Sequence, residues 1–149
     1  MKSILTVCVG NICRSPMASG LLKMHLPDFD VSSAGIGALI GSSADPTAVE
    51  LMRSIDIDIS RHVARQVNWK MCSESDLVLV MEEGHKKHLE SIYPAIRGKI
   101  FMVCGGSKKN VPDPYKKNIR DFEYSLELIQ EGVQYWVDRL NRLNREKRQ

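Results

Sequence analysis

The residues best equipped for chemistry in this sequence are Cys8 and Arg14, which bracket the segment C-V-G-N-I-C-R and are followed at once by Ser15-Pro16. A short apolar run precedes the segment, and Ser-Pro is a helix-start pair in which the serine caps and the proline takes the first helical position. The segment therefore reads as a tight loop between a strand and a helix. Such a loop can curl so that its backbone N–H groups, from Val9 through Cys13, point inward. The helix start adds further donors and a partial positive charge, and together they suit a dianionic phosphate. Gly10 permits backbone geometry that other residues resist, and Asn11 is one of the few other types that tolerates a left-handed conformation. Arg14 can grip two phosphate oxygens at once, as lysine cannot. Helix N-termini and nearby cations also favour the thiolate form of cysteine. The pattern thus predicts Cys8 as a nucleophile that attacks phosphorus in line and forms a phosphocysteine, with Ser15 hydrogen-bonding the sulfur to ease its departure. The Cys-x5-Arg spacing alone is a weak signal; the strand before it and the helix after it give it specificity.

Such a loop needs a frame. Ser3 to Val9 reads as a buried strand, and a helix from Pro16 to His25 must end before Pro27. A second strand is expected over Phe29 to Ala34, then a glycine-rich loop from Gly35 to Ser43. Asp45-Pro46 opens a helix with Val49, Leu51, Met52 and Ile55 as its apolar positions. The run D-L-V-L-V-M, Asp76 to Met81, is nearly continuous in apolar character, as in a parallel sheet covered on both faces. A helix over Glu83 to Tyr93, a strand over Lys99 to Val103 and a polar loop from Gly105 to Asn118 follow. The last helix, Asp121 to Arg145, carries Tyr124, Leu128, Ile129, Val133, Trp136, Val137, Leu140 and Leu143 on one face. Strands alternating with helices predict an α/β fold: one domain over residues 1–149, in three layers, with a central four-stranded parallel sheet flanked by helices. Ligands bind beyond the carboxyl ends of such strands, where the loop from Val9 to Arg14 falls.

Composition narrows the function classes. A chain of 149 residues, 43% hydrophobic and 26% charged, has the make-up of an ordinary soluble domain. No apolar run approaches the ~20 residues of a membrane helix, and the start M-K-S-I-L-T-V-C-V-G-N is a poor signal peptide. A cytoplasmic monomer without membrane insertion is expected. The net charge of +3 is too mild to imply nucleic acid, and its excess gathers in a tail whose cations suit a helix C-terminus. Cys8, Cys13, Cys72 and Cys104 form neither a disulfide framework nor, with His25, His62, His85 and His88, a zinc spacing. His85 and His88 are expected as two exposed histidines on a helix. The absence of G-x-x-x-x-G-K-[ST] speaks against a nucleotide site. No metal or cofactor is called for, because Arg14 and the loop amides supply the positive field.

C-V-G-N-I-C-R-S-P resembles the signature loop of the low-molecular-weight protein-tyrosine phosphatases. The likeness extends along the whole chain, through S-S-A-G after the second strand, H-V-A-R-Q-V at His62 to Val67, and D-P-Y at Asp113 to Tyr115. In detail it is most like the bacterial branch that partners tyrosine kinases of capsule and exopolysaccharide export. The resemblance implies Asp113 as the general acid that protonates the leaving phenol and then serves as base for the hydrolytic water. By itself, an aspartate between two prolines would read as a turn residue. The resemblance also implies that Asn11, Ser15, Ser33 and His62 form a buried hydrogen-bond network shaping the phosphate loop. Ile12, Tyr115 and an aliphatic residue at Leu39 or Ile40 would wall a deep slot that phosphotyrosine reaches more easily than phosphoserine. In the resembled family, a cysteine placed as Cys13 is can form a reversible disulfide with the nucleophile; a small loop filler is the alternative. Lys108, Lys109, Lys116, Lys117 and Arg120 flank Asp113, either attracting acidic peptide or simply solvating a loop. The implied partner is a tyrosine kinase with a phosphorylated tail. Two rivals share parts of the pattern. A thiol-dependent arsenate reductase needs a further cysteine relay that Cys72 and Cys104 do not form, and a phosphotyrosine-binding module needs no nucleophile and acid together.

Overall fold

The two central strands are apolar on both faces, so both faces must be covered. In β1 (Ser3–Cys8), Ile4 and Cys8 point to one side and Leu5 and Val7 to the other; in β3 (Leu77–Val80), Leu77 and Leu79 oppose Val78 and Val80 in the same way. The alternation is that of the pleat. All eight are buried. This computed structural model describes residues 2–147. Against the first face pack α1 (Arg14–His25), α2 (Pro46–Arg53) and α5 (Ile119–Lys147), through Met17, Leu22, Met52, Phe122, Ile129 and Val133. Against the second pack α3 (Trp69–Glu74), α4 (Glu83–Ile92) and a 3-10 turn (Pro94–Lys99), through Cys72, Leu89 and Ile96. The expected three-layer arrangement is present.

With β2 (Asp30–Gly35) and β4 (Ile100–Met102), the sheet has the order β2-β1-β3-β4, and every neighbouring pair is parallel. The chain leaves β1 for β2 on one side, then returns to β3 on the other. The connections after β1 and β3 therefore diverge, opening a crevice at the carboxyl end of β1, the switch point where α/β sheets bind ligands. Cys8 is the last residue of β1.

Several expected boundaries move. α3 and the 3-10 turn are additional elements: α3 has only six residues, too few to display a helical period, and is set by Asn68, whose side chain accepts from Met71 N at 2.9 Å. In α5 the buried stripe runs Phe122, Leu126, Ile129, Val133, Trp136, Leu140, whereas Tyr124 and Leu143 are exposed. The helix starts two residues earlier than expected and runs past the sheet, so Phe122 sets the phase and Leu143 has nothing to pack on. His85 is also not exposed as expected but buried on the core side of α4; His88 is exposed.

Gly35 pairs with Cys8 across the sheet. A Cβ there would sit 2.3 Å from Val9 O and 3.0 Å from Asn11 Cβ. Backbone cannot yield as a flexible side chain can, so Gly35→Ala must push the loop of Val9 to Asn11 outward. The expected result is a loss of about 1–3 kcal/mol in a denaturant melt, with a fall in kcat/KM. Parental stability and rate in this variant would show that the loop does not depend on this close approach.

Candidate active site

The helix after the loop begins at Arg14, with Cys13 at its N-cap and no side-chain cap. Ser15 and Pro16 are thus the second and third helical residues rather than cap and first residue. Proline is tolerated there because the first N–H groups of a helix lack intrahelical partners. The shift leaves the Ser15 hydroxyl free for other work. Its Oγ lies 3.0 Å from Cys8 Sγ and accepts a hydrogen bond from Asn11 Nδ2 at 2.7 Å. With Asn11 donating to it, Ser15 has its own proton to give, either to the sulfur at 3.0 Å or to Ala34 O at the longer distance of 3.5 Å.

Asn11 is fully buried and holds a positive φ of 58°. A left-handed, non-glycine residue persists only when its surroundings over-determine it. Here, besides Ser15, Nδ2 reaches Ser33 Oγ at 3.0 Å and Oδ1 accepts from Arg65 N at 2.9 Å. The Asn11 carbonyl accepts from His62 Nε2 at 2.6 Å. Burial holds His62 below the ordinary histidine range, against the opposing effect of that carbonyl bond, which fits a neutral ring with its proton on Nε2. Arg65 adds a bond from Nε to Ser33 O at 2.8 Å. The structure thus brings Asn11, Ser15, Ser33 and His62 into one network and adds Arg65, which sequence reasoning did not single out.

Arg14 is 1% exposed. Its Nη1 donates to Glu82 Oε2 and, at 2.7 Å, to Val111 O, while Nη2 lies 3.7 Å from Asp113 Oδ2. With both Nη1 protons engaged, Nε and Nη2 are the edge left for an oxyanion. Glu82 was missed in the sequence. The available signal was its position just beyond the carboxyl end of the buried strand β3, where functional groups of such sheets collect. Glu82 is the N-cap residue of α4 but makes no cap bond with its side chain; Asn110 Oδ1 instead accepts from Glu83 N at 2.8 Å. That substitution frees the Glu82 carboxylate to turn to Arg14. The same segment is clipped at Val111 N to Met81 O, 2.9 Å, and at Pro112 O by Ser125 Oγ, 2.7 Å. Asp113 Oδ1 accepts from Tyr115 N at 3.1 Å. Asp113 thus sits on a segment tied to β3, α4, α5 and Arg14 together.

These groups meet at a pocket of about 180 Å³ whose lining includes Cys8, Val9, Gly10, Ile12, Cys13, Arg14, Leu39, Asp113 and Tyr115. Of the two aliphatic residues weighed for the wall, Leu39 lines it and Ile40 does not, being 73% exposed. Leu39 N bonds Gly10 O at 3.0 Å, strapping the wall to the phosphate loop. Larger hollows of about 230 and 400 Å³ elsewhere hold no cysteine. Burial, then Asp45 and the neighbouring Cys8, pushes the Cys13 thiol well up; burial pushes Cys72 up to about 11 and raises Cys104. Of the four cysteines, only Cys8 and Cys13 line the pocket, and Cys13 is held as a thiol. Lys108, Lys109, Lys116, Lys117 and Arg120 are all exposed, with Lys116 Nζ 5.4 Å from the centre of the Tyr115 ring. No helix among the described residues is long and apolar enough to cross a membrane.

Comparison with known proteins agrees with this architecture. Residues 3–149 match the family described as low molecular weight phosphotyrosine protein phosphatase. The chain is 48% identical to the probable low molecular weight protein-tyrosine-phosphatase EpsP of Ralstonia nicotianae, over 96% of this chain and 99% of that protein. Among solved structures, Vibrio vulnificus Wzb in complex with benzylphosphonate superposes with a TM-score of 0.90 at 40% identity, covering 93% of this chain and 98% of that one. The YwlE arginine phosphatase from Geobacillus stearothermophilus also superposes, with a TM-score of 0.92 at 29% identity, covering 98% and 97%. A family match across nearly the whole sequence, borne by a four-stranded parallel sheet with its cysteine loop after the first strand, makes this chain a member of the low-molecular-weight protein-tyrosine phosphatases.

Proposed function

We propose that the chain, acting as one phosphatase domain, removes phosphate from tyrosines of an autophosphorylated bacterial tyrosine kinase that governs exopolysaccharide or capsule production, through a phosphocysteine intermediate. The observation that carries this reading is the meeting of Cys8, Arg14 and Asp113 at one pocket with aliphatic and aromatic walls. A phosphotyrosine enters with its ring between Ile12, Leu39 and Tyr115 and its phosphate on the loop amides and the Nε/Nη2 edge of Arg14. The Cys8 thiolate attacks phosphorus as the bond to the phenolic oxygen breaks, and Asp113 gives that oxygen its proton. Tyrosine leaves, and sulfur carries the phosphoryl group. Asp113, now a carboxylate, takes a proton from water, whose oxygen attacks phosphorus from the vacated side. The sulfur departs as a thiolate, stabilised by the Ser15 hydroxyl at 3.0 Å and by the helix N-terminus. Inorganic phosphate is released and the starting state returns. Asn11, Ser33 and His62 keep the loop in its strained, receptive form.

The kinase partner rests on the resemblance to the exopolysaccharide branch, with which the name of the Ralstonia relative is consistent. The arginine phosphatase among the structural neighbours supplies the control substrate. Peptides carrying phosphotyrosine, phosphoserine or phosphoarginine should be assayed without added metal. The expected order places phosphotyrosine first, with a phosphoryl group recoverable on Cys8 after acid quench. Preference for phosphoarginine would sink the tyrosine reading, and a phosphate-free Cys8 at steady state with a rate-limiting second step would sink the phosphocysteine.

A further inference from the structure

His85 is a buried histidine that the reaction above does not use. Its ring is 10% exposed, its Nε2 lies 3.4 Å from Glu82 Oε2, and its Nδ1 has no hydrogen-bond partner. Glu82 Oε2 is the same oxygen that accepts from Arg14 Nη1. One carboxylate oxygen therefore stands between a histidine and the guanidinium at the floor of the pocket. If the ring proton sat on Nδ1, the Nε2 lone pair would face a carboxylate, so the unpaired Nδ1 is the bare nitrogen and Nε2–H faces Glu82. We infer that His85 is a positioning residue for the phosphate-binding arginine: its Nε2–H fixes the rotamer of Glu82, and Glu82 in turn commits Arg14 Nη1 so that the Nε/Nη2 edge faces the substrate phosphate.

Each link answers a physical need. Arg14 is almost wholly buried, and a buried guanidinium without a partnered charge is costly. Glu82 is 35% exposed and its cap duty is taken over by Asn110, so among the described residues of its own helix the only side chain beside its carboxylate is His85, one turn on. A carboxylate turned into solvent would leave Arg14 Nη1 held by Val111 O alone. The charged and titratable groups facing His85 are Arg14 from α1, Asp113 from the acid segment, and Glu82 and His88 on its own side. Burial, then Arg14, holds His85 below the ordinary histidine range, against the opposing pull of Glu82 and Asp113. The ring is thereby kept neutral: a protonated ring would compete with Arg14 for the carboxylate, whereas a neutral one only steadies it.

The inference rests on Arg14 being the phosphate clamp, and the test separates the two. His85→Leu, His85→Gln, Glu82→Gln, the His85→Leu/Glu82→Gln double variant and Arg14→Lys are compared with the parent. The readouts are kcat, KM and the competitive inhibition constant of inorganic phosphate. His85→Leu should weaken phosphate and raise KM by about threefold, the scale of one long, partly exposed contact to a carboxylate, with a smaller change in kcat. His85→Gln, whose amide N–H can replace Nε2–H, should recover most of that loss. The double variant should be no worse than Glu82→Gln, because His85 acts through Glu82. A folded His85→Leu protein with parental phosphate affinity overturns the relay, as does strict additivity in the double variant. If His85→Leu fails to fold, His85→Gln and Glu82→Gln decide: a Glu82→Gln protein with parental phosphate affinity also overturns the relay. Arg14→Lys that binds phosphate like the parent overturns the clamp itself. Loss in Arg14→Lys with none in His85→Leu removes only the histidine.

Discussion

Replacing Cys8 by serine is expected to abolish turnover while leaving the phosphate site able to bind. The sulfur stands at the carboxyl end of β1, 2% exposed, with the Ser15 hydroxyl 3.0 Å away. An alcohol there is a far weaker nucleophile than a thiolate, and loss of a nucleophile commonly costs several orders of magnitude in kcat; about four or more are expected here. Arg14, its anchor Glu82 and the loop amides are untouched, so phosphate measured by calorimetry should bind with an affinity close to that of the parent. Serine is smaller than cysteine and sits on a loop braced by Asn11, so the melting temperature should also hold. Turnover surviving in Cys8→Ser would mean that another group, with Cys13 the nearest, carries the reaction. Loss of phosphate binding along with turnover would mean that the substitution had collapsed the loop, and the role of the sulfur would have to be tested another way.

The second large effect is expected from Asp113→Ala, and its signature is dependence on the leaving group. A tyrosyl oxygen has a pKa of about 10 and needs a proton to depart at neutral pH, so the variant should lose about 10²–10⁴ in kcat on phosphotyrosine peptide. A nitrophenolate leaves far more readily without one, and the loss on p-nitrophenyl phosphate should be visibly smaller. Asp113 also stands 3.7 Å from Arg14 Nη2, so a purely positional contribution is a real competitor. It would lower both substrates equally and would weaken phosphate binding. Equal loss across leaving groups would therefore remove Asp113 from the acid role and leave it as part of the arginine's surroundings.

The order of elements was legible because it depends on local chemistry: apolar runs of strand length, prolines that stop helices, and glycine-rich turns. The two core strands were legible for a further reason. Leu77 to Val80 is apolar at every position, which only a two-sided burial explains. Helix phase was less legible. Tyr124 and Phe122 are both aromatic, and only the docking of α5 on α1 and the sheet decides which one faces inward. The short α3 had no periodic signal to read, since its start depends on a single asparagine cap.

The sequence by itself determined the loop proposed to bind phosphate. Its residues are contiguous, and their requirements, a tolerated left-handed position, amides at a helix start and a forked cation, are properties of residue type and order. What surrounds the loop was decided only by tertiary structure. Glu82 and His85 lie some seventy residues from Arg14 in the chain; Glu82 is not singled out in the sequence, and His85 reads as an exposed histidine on a helix. They become partners of the arginine because parallel pairing of β3 with β1 sets the start of α4 beside the start of α1. The choice of Leu39 over Ile40 as the wall follows from the same cause: adjacent residues point in different directions, and the backbone bond between Leu39 N and Gly10 O fixes which one turns inward. Local order can encode a loop that binds an anion, but the side chains that hold its arginine and shape its pocket come from distant segments, and only the register of the sheet brings them within bonding distance.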